Sequence, residues 1–103
     1  MIRHIVALRF SASVSADEKA VLFADLAALQ DVVEGALDFQ VRRNISPETA
    51  VVHGFADLFW FDFTDETARD AYLAHPEHQA VGGRLTAACA GGVDGITVLD
   101  FEI

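Results

Sequence analysis

Gly54-Phe55-Ala56-Asp57-Leu58-Phe59-Trp60-Phe61-Asp62-Phe63 is the most apolar run of the chain, and its period of two reads as a strand. Phe55, Asp57, Phe59, Phe61 and Phe63 project to one side, Leu58 and Trp60 to the other. A sheet built around this strand is apolar on both faces, so each face needs a cover. Moving outward, Ile2 to Phe10 alternates likewise, with Ile2, His4, Val6, Leu8 and Phe10 on one side. Leu37, Phe39 and Val41 alternate with Asp38, Gln40 and Arg42, and Gly95 to Ile103, carrying Leu99 and Phe101, supplies a fourth strand. The segment from Asn44 to Glu48 reads as a turn.

Helical patterns fill the gaps. Ser15-x-x-Glu18 is a capping box that opens a helix with Val21, Leu22, Leu26, Leu29 and Val33 at helical spacing, and Gly35 closes it. Thr64, followed by Asp65 and Glu66, caps a second helix that carries Ala68, Ala71 and Tyr72. Pro76 lacks an N–H and forces the residue before it out of helical geometry, so this helix ends near Ala74 and another starts at Pro76. That last helix holds Ala80, Val81, Leu85 and Ala88, with Gly82 and Gly83 weakening it by about 1 kcal/mol each against alanine. The order β-α-β-β-α-β, its second helix split, predicts a single α+β domain over 1–103: a ferredoxin-like antiparallel sheet with helices on one face. A second copy is the simplest cover for the other face, which predicts a homodimer through the sheet.

Composition agrees with a partner. The 103 residues are 52% hydrophobic, high for a monomer of this size that keeps most of its surface wet. Seven basic against sixteen acidic residues give a net charge of −9, which repels phosphate backbones and argues against nucleic acid. No apolar run is long enough for a membrane span, and Arg3 and His4 interrupt the place of a signal peptide. A cytoplasmic protein is expected. Cys89, the single cysteine, reads as a buried, inert thiol.

Chemistry concentrates at Tyr72-Leu73-Ala74-His75-Pro76-Glu77-His78. His78 falls in the first turn of the new helix, where free N–H groups and the positive dipole end disfavour an imidazolium. A neutral imidazole is what a general base must be. His4 and Asp57 are each the lone polar residue on an apolar strand face, and a buried carboxylate needs a partner. With neighbouring strands His4 is one candidate, and His78 and Tyr72 are the others. The predicted pocket thus gathers His4, Val6, Leu8, Phe23, Asp57, Phe59 and Phe61, with His78 as candidate base and Tyr72 as candidate acid. Two readings stay open: a small apolar cavity that binds or transforms a molecule, or an internal hydrogen-bond network that fixes the helix corner on the sheet.

Other chemistries find less support. His75, His78, His4, His53 and Asp57 offer ligand atoms, but Pro76 disturbs the spacing of the first two and no zinc spacing occurs, so no metal is expected. Phosphate loops, serine-nucleophile elbows and zinc-protease motifs are lacking, and no cofactor is expected.

Met1 to Phe10, Leu37-Asp38-Phe39 with Asn44, Gly54 to Asp57, Ala71 to His78 and Leu99-Asp100-Phe101 together resemble the stress-responsive A/B barrel (Dabb) family, from end to end and in order. The resemblance implies a dimeric α+β barrel without implying one activity. Members include stress-associated plant proteins and a polyketide cyclase, olivetolic acid cyclase. The cyclase's acid/base tyrosine and histidine fall on Tyr72 and His78, and a first-strand pocket histidine on His4; another pocket histidine is replaced here by Asp57. Three functions follow as expectations: a homodimeric protein binding a small apolar or phenolic molecule without assigned turnover; a cofactor-free cyclase-like or isomerase-like enzyme; or a cofactor-free monooxygenase of the same barrel superfamily.

Overall fold

The computed structural model describes residues 1–103. Four strands, β1 (Ile2–Leu8), β2 (Ala36–Arg43), β3 (Asp57–Phe63) and β4 (Ile96–Glu102), form one antiparallel sheet in the order β2-β3-β1-β4. Helices α1 (Ala16–Ala27), α3 (Glu66–Ala74) and α4 (Pro76–Ala88) belong to the helical layer, and a one-turn α2 (Thr49–Val52) lies between β2 and β3. This is the α+β ferredoxin-like arrangement read from the sequence. The four-residue α2 falls just beyond the segment read as a turn, and no hydrophobic period announced it.

Local rules explain most boundaries. Ser15 Oγ accepts the Glu18 N–H at 3.1 Å and its hydroxyl meets Glu18 Oε1 at 3.3 Å, capping α1 as expected. The cap of α3 is Asp65, not Thr64: the Asp65 carboxylate accepts the Ala68 N–H at 2.8 Å. A charged acceptor is the stronger cap. Thr64 instead packs beside Gly35, whose φ is +86° and where a Cβ would lie 2.6 Å from Thr64 Oγ1 and 2.8 Å from Ala68 Cβ. Glycine is therefore required there twice over, by the left-handed backbone and by the close approach.

The second strand departs from simple alternation. A bulge lies between Leu37 and Gln40, with Asp38 at φ 51°. Phe39 and Val41 pack on the core, whereas Leu37 falls out of phase and stays 41% exposed. The first strand ends at Leu8 rather than Phe10, which is held by an isolated bridge to Cys89. Cys89 is buried, and burial raises its thiol above the ordinary value.

The core lies between sheet and helices. Phe59, Phe61 and Phe63 stack along β3 against Leu8, Leu26, Leu29 and Tyr72, all fully or almost fully buried. On the opposite face the cross-strand register aligns Gln40, Trp60, Ile5 and Leu99 in one row. Leu99 and Phe101 are 60% and 46% exposed.

Candidate functional site

The proline corner is built as the sequence dictates. His75 is extended, with ψ 132°, and ends α3 while opening α4. Its Nδ1 accepts the Glu77 N–H at 3.1 Å, so the imidazole itself is the helix cap. Three residues after His75, His78 turns back toward α3. Its Nδ1 lies 3.3 Å from the Leu73 carbonyl oxygen. A carbonyl can only accept, so Nδ1 carries the hydrogen and Nε2 keeps the lone pair in the neutral ring. The ring centroids of Tyr72 and His78 are 4.2 Å apart.

Their protonation follows from burial. Desolvation lowers the His78 pKa; the Leu73 hydrogen bond opposes this, and nearby His4 and His75 add to the lowering. Burial alone raises the Tyr72 pKa far above the ordinary phenol. At neutral pH the pair is thus an unprotonated imidazole beside a protonated phenol. The Tyr72 hydroxyl is buried and bonds to no other protein group, an unusual condition for a buried polar atom.

A cavity of about 240 Å³ is lined in part by Tyr72. Its polar side chains include His4, Tyr72, His78, Thr86 and Asp100; the rest of the wall is mainly apolar, including Val6, Phe59 and Leu85. Among the lining residues Leu73 is 40% exposed and Val98 52% exposed. The cavity therefore opens between α3 and the edge strand β4.

The structure brings His4, Val6, Phe59, Tyr72 and His78 together around this space and leaves the other expected pocket residues outside it. Leu8 and Phe61 are wholly buried in the core. Phe23, on α1, packs edge-on against Phe10 and Phe59 at 6.0 and 6.3 Å. Asp57 sits elsewhere and does not meet His4. The register pairs His4 with Phe61 and Leu8 with Asp57, so the two are four residues apart along the sheet, roughly 14 Å at strand spacing. Asp57 is instead satisfied by Lys19 at 3.3 Å and Arg43 at 3.6 Å.

The carboxylate that does meet His4 is Asp100, at 2.6 Å from Nδ1. Pattern reading passed over it, although the signal was present. Asp100 follows Ile96 and Val98 on one face of β4, directly opposite His4 in the register. The other two histidines stand apart. His75 borders a separate surface groove, and His53, on the β2–β3 connection, has a left-handed backbone and gives its carbonyl to Arg9 at 2.8 Å. No group of three or more histidine, cysteine or acidic side chains is arranged to hold a metal ion.

Known proteins share this architecture. A dimeric ferredoxin-like protein of unknown function from Jannaschia sp. CCS1 is 34% identical, with a TM-score of 0.88 over 99% of this chain and 98% of that one. A protein of Arabidopsis thaliana is 22% identical, at 0.88 over 100% and 95%. The hydroxynitrile lyase of Passiflora edulis is 20% identical, at 0.83 over 99% and 92%; at such identity these last two show the fold alone. No curated protein matches significantly. The stress responsive A/B barrel domain family matches residues 2–103. Over essentially its whole length, the chain belongs to the stress responsive A/B barrel domain family.

Proposed function

We propose that the protein is a homodimer, paired through the open sheet face, and that each subunit binds a small, neutral, largely apolar molecule of phenolic type in the cavity beside Tyr72. The observation that carries the binding reading is that Tyr72, whose buried hydroxyl has no partner, is one of the residues lining a largely apolar cavity. A buried hydroxyl without a partner costs stability, and a ligand oxygen would relieve that cost. Size supports a compact ligand, since an apolar cavity of about 150 Å³ already admits benzene. Charge favours a neutral one: Asp100 borders the cavity, His78 is held uncharged, and the net charge is −9.

Phenol and benzoate, titrated into the 15N-labelled protein and followed by NMR, separate the possibilities. Phenol is expected to shift the resonances of His4, Tyr72, His78 and Leu85, with benzoate at least severalfold weaker. No shift with phenol at millimolar concentration, or equal binding of benzoate, would refute the reading. Tyr72→Phe is expected to weaken phenol binding by about 2–10-fold, the worth of one neutral hydrogen bond. Its stability in urea is expected to match or exceed wild type. A loss above about 1 kcal/mol would reveal a structural hydrogen bond instead.

The two glycines of α4 give an independent test. A Cβ at either Gly82 or Gly83 meets nothing within 4 Å, so Gly82→Ala and Gly83→Ala should each raise stability by about 0.5–1 kcal/mol. Gly82 lines the cavity, and Gly83 is exposed. Only the first alanine should reduce phenol affinity. Equal effects of both on binding would place the ligand elsewhere.

A second reading, cofactor-free acid/base turnover, draws on the tautomer of His78. With Nδ1–H given to Leu73, Nε2 is free to take a proton from an acidic C–H or O–H group. Tyr72 would donate a hydrogen bond to the oxygen that gains the charge.

A further inference from the structure

His4 is anchored from outside the cavity. Its Nδ1 lies 2.6 Å from Asp100 Oδ1, and because a carboxylate only accepts, the neutral ring carries its hydrogen on Nδ1 and its lone pair on Nε2. The second Asp100 oxygen accepts from Arg69 Nη1 at 3.3 Å. Arg69 is steadied in turn by Asp70, whose Oδ1 accepts from Nε at 3.2 Å and Nη2 at 3.1 Å. A chain of four side chains, Asp70, Arg69, Asp100 and His4, thus runs from the outside of α3 to the cavity wall, which Asp100 and His4 line. Its two ends differ sharply in side-chain exposure, 66% at Asp70 and 5% at His4, with Arg69 and Asp100 between them at 23% and 26%.

We propose that Arg69 is a positioning residue for the cavity: by clamping Asp100 it fixes the ring orientation and tautomer of His4, so that Nε2 is presented as a hydrogen-bond acceptor. The proposal rests on the cavity being a binding site and adds a residue outside its wall. Its physical basis is the weakness of Asp100 alone. β4 is an edge strand whose residues from Thr97 onward are all exposed, and an aspartate there with no second partner is free to turn to water. Arg69 holds the carboxylate over His4 through its 3.3 Å contact and offsets part of its charge. The groups facing His4 are Asp100 from β4, Phe61 and Phe63 from β3, Tyr72 from α3 and His78 from α4. Of these, Asp100 is the carboxylate. Arg69 is the cation that reaches it. This arrangement gives the site two imidazole acceptors, at His4 and His78, and one phenol donor, at Tyr72. A ligand with two hydroxyl groups complements that set better than one with a single hydroxyl.

The test reads both histidine tautomers in the ligand-free protein by long-range 1H–15N correlation at pH 8. In wild type, His4 and His78 are both expected in the Nδ1–H form. Asp100→Ala is expected to move His4 toward the Nε2–H form, and Arg69→Met to move it part of the way. Arg69→Lys should recover the wild-type pattern, and His78, tied to Leu73, should stay unchanged throughout. Arg69 lies at the surface, so the folding midpoint of Arg69→Met should stay near wild type while its phenol affinity drops severalfold. Wild-type His4 in the Nε2–H form, or Arg69→Met leaving the His4 nitrogen shifts in place, overturns the proposal. Because the tautomer is read without ligand, failure here is separate from failure of phenol to bind.

Discussion

Ile5→Glu is expected to turn the proposed dimer into a folded monomer. Ile5 lies on the central strand β1 and faces Trp60 on one side and Leu99 on the other, in a row that crosses all four strands. Around it the surface is neither a plain solvent face nor a finished core. Arg3 donates to both oxygens of Asp62 at 2.8 and 3.0 Å, and the guanidiniums of Arg3 and Arg42 lie 5.3 and 5.5 Å from the Trp60 ring. The Trp60 indole N–H is buried yet bonds to no group of its own chain. Organised charge pairs flanking apolar side chains, with a donor left over, suit a face that a second subunit covers. A two-fold axis through this face would bury two new carboxylates, and each unpaired buried charge costs several kcal/mol. The dissociation constant should rise at least about a thousandfold, about 4 kcal/mol at 1.4 kcal/mol per decade. Sedimentation velocity reads this directly, with circular dichroism to show that the subunit remains folded. A wild-type protein that sediments as a monomer at high concentration, or an Ile5→Glu protein that stays dimeric, would rule out the sheet-face dimer.

Phe61→Ala should produce the largest loss of stability among the cavity-related substitutions. Phe61 has no exposed surface, and its ring lies 4.9 Å from Phe39, 5.1 Å from Tyr72 and 5.8 Å from Phe63, centre to centre. Truncating a buried phenylalanine typically costs about 3–5 kcal/mol through lost transfer energy and the void left behind. A domain of this size has roughly 5–15 kcal/mol in total. The urea midpoint should fall steeply, and the variant should be close to unfolding at physiological temperature. Any loss of phenol binding would then follow from a displaced Tyr72, because Phe61 stands behind that ring and not in the cavity wall. A loss below about 1.5 kcal/mol would mean that the site collapses around the gap, and that Phe61 is less tightly packed than its contacts indicate.

Local chemistry made the fold and the corner readable. Period-two patterns marked four strands, Ser15 and Glu18 marked a helix start, and Pro76 with His75 marked the break between α3 and α4. Each signal acts over three or four residues, where backbone sterics and a single hydrogen bond decide the outcome. The misreadings have equally local causes. Thr64 and Asp65 are adjacent candidates for one cap, and sequence alone does not rank their side-chain geometry. The β2 bulge adds a residue to one strand only, so alternation extended through Leu37 assigns the wrong phase.

The candidate site shows the boundary more sharply. From the sequence by itself came the residue types and their faces: His4 and Asp57 as polar exceptions on apolar strands, and Tyr72 and His78 across a proline corner. Which of them meet is a matter of register, and register belongs to the sheet. Sliding an antiparallel pair by two residues keeps every side chain on its face while moving its partner by nearly 7 Å, so a correct face assignment placed Asp57 beside His4 when the folded sheet sets Asp100 there. Only the tertiary structure decided that Asp100 rather than Asp57 orients toward His4, that Arg69 reaches Asp100 from α3, and that the Tyr72 hydroxyl is left without a partner. Those are contacts between groups 31 to 96 residues apart in the chain, set by packing that no local pattern encodes.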